Sequence, residues 1–181
     1  MKTKFFILLI LLSCFYKSYS WGFYGHGKIN YYAVFLLPPE MILLYKPNII
    51  FLSEHATDPD KRRYAVAEEG PRHYIDIDHY GVYPFSDLPR KWKDATEKFY
   101  EDSLNAHGIV PWHVQAMLIR LTHAFEKKDF KNIMKLSAEL GHYIADAHVP
   151  LHASSNHNGQ QTNQRGIHGL DRKSTRLNSS H

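Results

Sequence analysis

Cysteine is almost missing from this chain: one in 181 residues, Cys14, alongside only four methionines. That argues against a disulfide framework and against a thiolate metal site. No Gly-rich phosphate loop and no strained Ser elbow is present either, which excludes a P-loop nucleotide hydrolase and an α/β-hydrolase. The longest apolar run, residues 5–12, is well short of the roughly 20 residues a membrane-spanning helix needs. Sustained period-two alternation is scarce, so a sheet is not expected.

Charge of one sign is also lacking, although the formal total of +4 hides this. Residues 1–20 read as a signal peptide, with Lys2 and Lys4 before the apolar run and Ser18 and Ser20 at the small-residue cleavage positions. Cleavage after Ser20 makes Trp21 the mature N-terminus and sends the protein to the periplasm or outside the cell. The alternative, a lipoprotein site at Cys14, is a poor match because Leu12 stands at its second position. From Asp171 the text DRKSTRLNSSH turns polar and aperiodic and resembles translated adapter sequence. The expectation is that natural sequence stops at Leu170, with its C-terminal portion missing and 171–181 a non-native tail. Without both ends, 16 basic and 17 acidic residues remain, a net charge of about −1. Tight nucleic-acid binding through a basic face is therefore not implied. Residues 21–170 suit a single domain with its own core.

Histidine, by contrast, is abundant, at 13 residues. Helical spacing of apolar residues predicts helices over 28–37, 40–45 and 48–56, then an irregular segment rich in Gly and Pro over 65–92. A helix capped by Asp94 is expected to run to Ala106, another from Pro111 to Glu126, and a long one from Asp129 to Ala147. The fold class is all-α: a compact multi-helix bundle with loops folded over one end.

The most informative stretch is Gly141 to His152, GHYIADAHVPLH. His142 and Asp146 are four apart and share a helix face, and Pro150 ends the helix just before His152. Two imidazoles and a carboxylate gathered on one rigid element are typical zinc ligands. Other histidines carry less. His113 and His123 suit the helix after Pro111, His148 sits off the ligand face, and His55 and His79 flank motifs. His157 lies in a polar loop that could rim a cleft. Phe23, Tyr24, Tyr74 and Tyr80 read first as packing residues.

Four further pieces join the central motif: WGFYGH with Trp21 and His26, EHATDPDKRR with Asp58 or Asp60, PRHYIDID with His73, and GIHG with His168. In this order they resemble the zinc-dependent phospholipase C and single-strand-specific nuclease superfamily, the fungal S-one and P-one nucleases and the bacterial phospholipases C. The bacterial members look closest, and the resemblance runs from Trp21 to Leu170. It implies a helical domain with a metal cleft at one end that holds up to three zinc ions. Trp21, through its freed α-amino nitrogen and carbonyl, and His26 would hold one zinc. Asp146 would bridge it to a second, held also by Asp58, His73 and His142, and His152 and His168 would hold the third. Asp58 is preferred to Asp60 because its spacing to His73 suits the family pattern, and it would double as the catalytic group that orients or deprotonates the nucleophile.

The implied activity is hydrolysis of phosphodiesters by metal-activated hydroxide, on single-stranded nucleic acid or a phospholipid headgroup, with no stable protein partner and no membrane anchor. One departure matters. The family's third zinc takes an acidic residue four positions after the final His, and here that position is Arg172, with Asp171 before it. Arginine offers no acceptor, so the 181-residue form is expected to be weak or inactive. The competing class is a non-catalytic envelope protein stabilised by zinc. A helical bundle with scattered histidines is the plainest alternative.

Overall fold

The structure, a computed structural model, describes residues 21–169. The expected signal peptide, Cys14 and the 171–181 tail lie outside the described residues, as does the side chain of Trp21. The described chain is all-α, with no strand among its residues. Its α-helices are α1 (Trp21–Ala33), α2 (Pro39–Tyr45), α3 (Ile49–His55), α4 (Asp58–Arg62), α5 (Trp92–Phe99), α6 (Glu101–His107), α7 (Val110–Glu126) and α8 (Phe130–Ala147). Short 3-10 turns link them, at Ala67–His73, Ile77–Tyr80 and Pro150–His152 among others. No described helix is long and apolar enough to cross a membrane.

The centre of the bundle is the antiparallel pair α7 and α8, which carries one apolar cluster at each end. Val34, Tyr45, Leu52, Leu121, Ile133 and Ala138 bury one between α1, α2, α3 and the pair. The other gathers Ile75, Tyr80, Leu104, Trp112, Met117 and Tyr143 beneath α5 and α6. Leu136 and Leu140 of α8 pack against both. The Asp129 side chain accepts from the Asn132 backbone N–H at 3.1 Å and caps α8, satisfying a donor at a helix start.

Two glycines permit close approaches that position the site. Gly108 has a positive φ of 85°, and a Cβ there would meet the Tyr74 carbonyl at 2.2 Å. Its absence lets the strap 71–77 lie along 107–110, where the Ile109 and Val110 N–H groups donate to the carbonyls of Pro71 (2.7 Å) and Tyr74 (3.2 Å). Gly141 on α8 faces Asn30 of α1, whose amide donates to the carbonyls of Leu52 (3.1 Å) and Ala138 (2.9 Å). One buried side chain thus joins α1, α3 and α8.

Several sequence expectations need correction. The helix expected from residue 28 already includes Trp21, with Gly22, Gly25 and Gly27 inside it; Gly27 lets α1 approach Ser53, which donates to its carbonyl at 3.0 Å. The single helix expected from Asp94 to Ala106 is two, broken at Tyr100, which takes a positive φ of 63°. Asp94 caps nothing, since α5 starts two residues earlier behind Lys91. The short helix α4 was not expected at all.

Candidate metal centre

Five elements deliver the donors, counting α4, which carries Asp60. His26 comes from the second turn of α1, His73 from the end of the strap's first 3-10 turn, His142 and Asp146 from successive turns of α8, and His152 from the 3-10 turn that follows it. The strap and that last turn hold each other: His152 Nδ1–H donates to the His73 carbonyl at 3.0 Å, and the Ile75 N–H donates to the His152 carbonyl at 2.8 Å.

Asp146, 2 % exposed, lies at the middle and divides its two oxygens. Oδ2 faces His73 Nδ1 at 2.8 Å and His142 Nε2 at 3.2 Å. Oδ1 faces His26 Nε2 and His152 Nδ1, each at 3.3 Å. His73 Nδ1 and His142 Nε2 are themselves 3.0 Å apart, and the His26 and His142 rings stack with centroids at 3.9 Å. Asp60 joins the same group, with Oδ1 4.0 Å from His73 Nδ1.

Electrostatics follows from this crowding. Burial alone would raise the Asp146 carboxyl, but the contacts from His142, His152, His26 and His73 outweigh it and hold the group well below the usual carboxylate range. Burial pulls His73 down, and its contacts with Asp146 and Glu69 more than reverse that, so His73 is raised. For His142 burial wins, with Asp146 offsetting only part of it, and the ring is lowered. A neutral imidazole is the ligating form.

These residues fit a divalent cation. The triangle of His73 Nδ1, His142 Nε2 and Asp146 Oδ2 has edges of 2.8, 3.0 and 3.2 Å. A tetrahedral zinc site with N and O donors at about 2.0–2.1 Å spaces them about 3.3 Å apart. His142 Nδ1–H donates to the Ala56 carbonyl at 2.8 Å, which fixes its tautomer and leaves the Nε2 lone pair for the cluster. His26 Nδ1 is buried and has no hydrogen-bond partner among the described residues. Two overlapping donor groups result: Asp60, His73 and His142, and His26, His142 and Asp146.

The sequence-predicted residues His26, His73, His142, Asp146 and His152 are therefore together, and the His168 ring stands 5.2 Å from that of His152. Trp21 is the first residue of α1, and the Asp171–Arg172 pair lies outside the described residues. The preference for Asp58, both as ligand and as catalytic group, is corrected: Asp60 faces the cluster. Asp58 turns outward at the start of α4, its Oδ2 2.5 Å from His55 Nδ1 and its Oδ1 2.7 Å from Lys61 Nζ. Burial would raise Asp58, and those two partners lower it instead.

Two residues were missed in the sequence. Arg63, one turn past Asp60, borders two cavities at the cluster. One, of about 190 Å³, is lined by His26, Asp60, Arg63, Asp146, His152 and His168. The other, of about 390 Å³, is lined by Arg63, His73, Asp76, His152, His157 and His168. His148 also lines the first cavity, and His157 is indeed on the rim of the second. The D-x-x-R spacing of Asp60 and Arg63 was the available signal. Glu69, fully buried behind His73, carried none.

No family model, curated protein or solved structure matches the chain.

Proposed function

We propose that this chain is a zinc-dependent phosphodiester hydrolase, of the kind its resemblance to the single-strand-specific nucleases and phospholipases C implies. One observation carries the reading: the Asp146 carboxylate turns one oxygen to His73 and His142 and the other to His26. A carboxylate shared in this way suits two cations side by side, and imidazole with carboxylate is a zinc ligand set.

Bound zinc would supply Lewis acidity toward an ester oxygen and acidify a nearby water toward a pKa of about 7. The chain's own groups do the rest. Arg63, between the two cavities, is the cation that anchors an anionic phosphodiester oxygen. Asp60 lines the same cavity and accepts a proton at its carboxylate from the attacking water. Burial of His73 and His142 excludes bulk water from behind the cluster, leaving the cavities as the approach. Nucleic acid and phospholipid headgroup share this phosphodiester chemistry.

A second reading has an observation of its own. His73, His142 and Asp146 are as buried as ligands of a purely structural ion, so zinc could serve stability alone. Metal analysis of leader-cleaved protein, with turnover of bis-p-nitrophenyl phosphate, single-stranded DNA and phosphatidylcholine measured side by side, separates the two. Stoichiometric zinc with cleavage of at least one substrate is the expected result. Zinc that raises Tm without any cleavage would favour the structural role, and absence of zinc would end both.

A further inference from the structure

Glu69 is fully buried, an unusual place for a carboxylate, and is surrounded by donors. Its Oε2 accepts from Arg72 Nη1 at 2.8 Å and from Arg62 Nε at 3.2 Å. Its Oε1 accepts from the Tyr143 hydroxyl, with Arg62 Nη2 farther off at 3.4 Å. Arg62 also holds the buried Glu139 at 2.7 Å, so two arginines neutralise two carboxylates. One group nearby remains unexplained. His73 Nε2 is buried and has no hydrogen-bond partner among the described residues, and it faces Glu69 Oε1 at 3.6 Å, a short shift from contact.

His73 turns Nδ1, not Nε2, toward Asp146 and His142. For that nitrogen to offer a lone pair, the ring proton must sit on Nε2, and a proton there needs an acceptor. We propose that Glu69 is the positioning residue of the metal centre: from behind the ring it holds the His73 proton on Nε2 and so keeps Nδ1 free to bind zinc. This rests on the metal reading above and adds to it the residue that sets the tautomer.

The surroundings make Glu69→Gln a sharp test. A glutamine has one acceptor oxygen and one NH2. Two guanidinium donors already point at the Oε2 position, so the amide oxygen must go there. The NH2 then faces His73 Nε2 as a donor and drives the ring proton onto Nδ1, the nitrogen that must bind metal. Arg72→Met weakens the same buried network without reversing any donor at His73, and serves as the comparison.

Zinc affinity of the full chain is read by chelator competition, and cobalt substitution reports the ligand set by its visible absorption. The expected result is a 10- to 100-fold loss of zinc affinity in E69Q with an altered cobalt spectrum, and a change of less than about threefold in R72M. E69Q binding zinc as tightly as the parent, or R72M losing as much as E69Q, would overturn the assignment. A measurement on the parent alone covers a poorly folding variant: long-range proton–nitrogen NMR of zinc-loaded protein should show the His73 proton on Nε2. A proton on Nδ1 there would refute it. A parent that binds no zinc would remove the underlying metal reading, and this assignment with it.

Discussion

Gly141→Ala is the change whose cost the structure lets one work out most fully. An added Cβ would lie 2.0 Å from Asn30 Oδ1 and 2.9 Å from its Cγ, far inside contact distance. The flexible end of a side chain normally gives way cheaply, but this one is buried and pinned by two bonds, to the carbonyls of Leu52 and Ala138. Moving it forfeits both, about 1 kcal/mol each, and strands a buried amide at about 1–3 kcal/mol more. Against that, alanine in mid-helix gains about 0.5–1 kcal/mol over glycine. The net expectation is a loss of about 2–4.5 kcal/mol, which at this size lowers Tm by roughly 4–18 °C. Urea unfolding of metal-free protein measures it. Asn30→Ala should cost about as much, and the double variant should cost no more than N30A alone, because the clash needs both partners. G141A as stable as the parent, or additive with N30A, would show that this glycine does not admit the Asn30 clamp.

Three other outcomes are expected. Asp60→Asn should weaken zinc binding at least tenfold while Asp58→Asn leaves it unchanged and costs under about 1 kcal/mol, the worth of a surface ion pair; equal effects in chelator competition would reinstate Asp58. Asp146→Asn should remove both neighbouring ions rather than one, read as metal stoichiometry, because its two oxygens face separate histidine sets. Finally, burial, helped by nearby Arg72, pushes His113 down to about 4. Its folded value lies below the unfolded one near 6.5, so its contribution is complete above pH 6.5 and disappears as pH falls toward 4, by about 3 kcal/mol. His113→Phe keeps the ring against Tyr143 and should flatten that acid limb; an unchanged pH dependence of metal-free stability would contradict it.

The long helix α8 was legible because its apolar residues repeat at helical spacing and Asp129 announces its start. The same periodicity placed His142 and Asp146 on one face, so the middle of the site could be read before any fold was known. Choosing between Asp58 and Asp60 could not be done that way. Their distance to His73 runs through an irregular segment with no fixed rise per residue, so counting positions favoured the aspartate that turns outward. The start of α1 was hidden by three glycines that disfavour a helix in isolation; Gly27 is accepted here for its close approach to Ser53. Glu69 was invisible because a charged residue in a 3-10 turn looks solvated until the two arginines that surround it are in place. The break at Tyr100 rests on a positive φ in a tyrosine, which no local pattern forecasts.

His26, His73 and His142 belong to stretches far apart along a polypeptide whose residues 21–169 include no cysteine. An ion grasped by all of them closes wide loops, as a covalent bridge does in oxidised secreted proteins. Cargo and cross-link would then be the same object: stripping the cation should untie α1 from the rest and open it to proteases, so the supply of free metal would set how long each molecule survives.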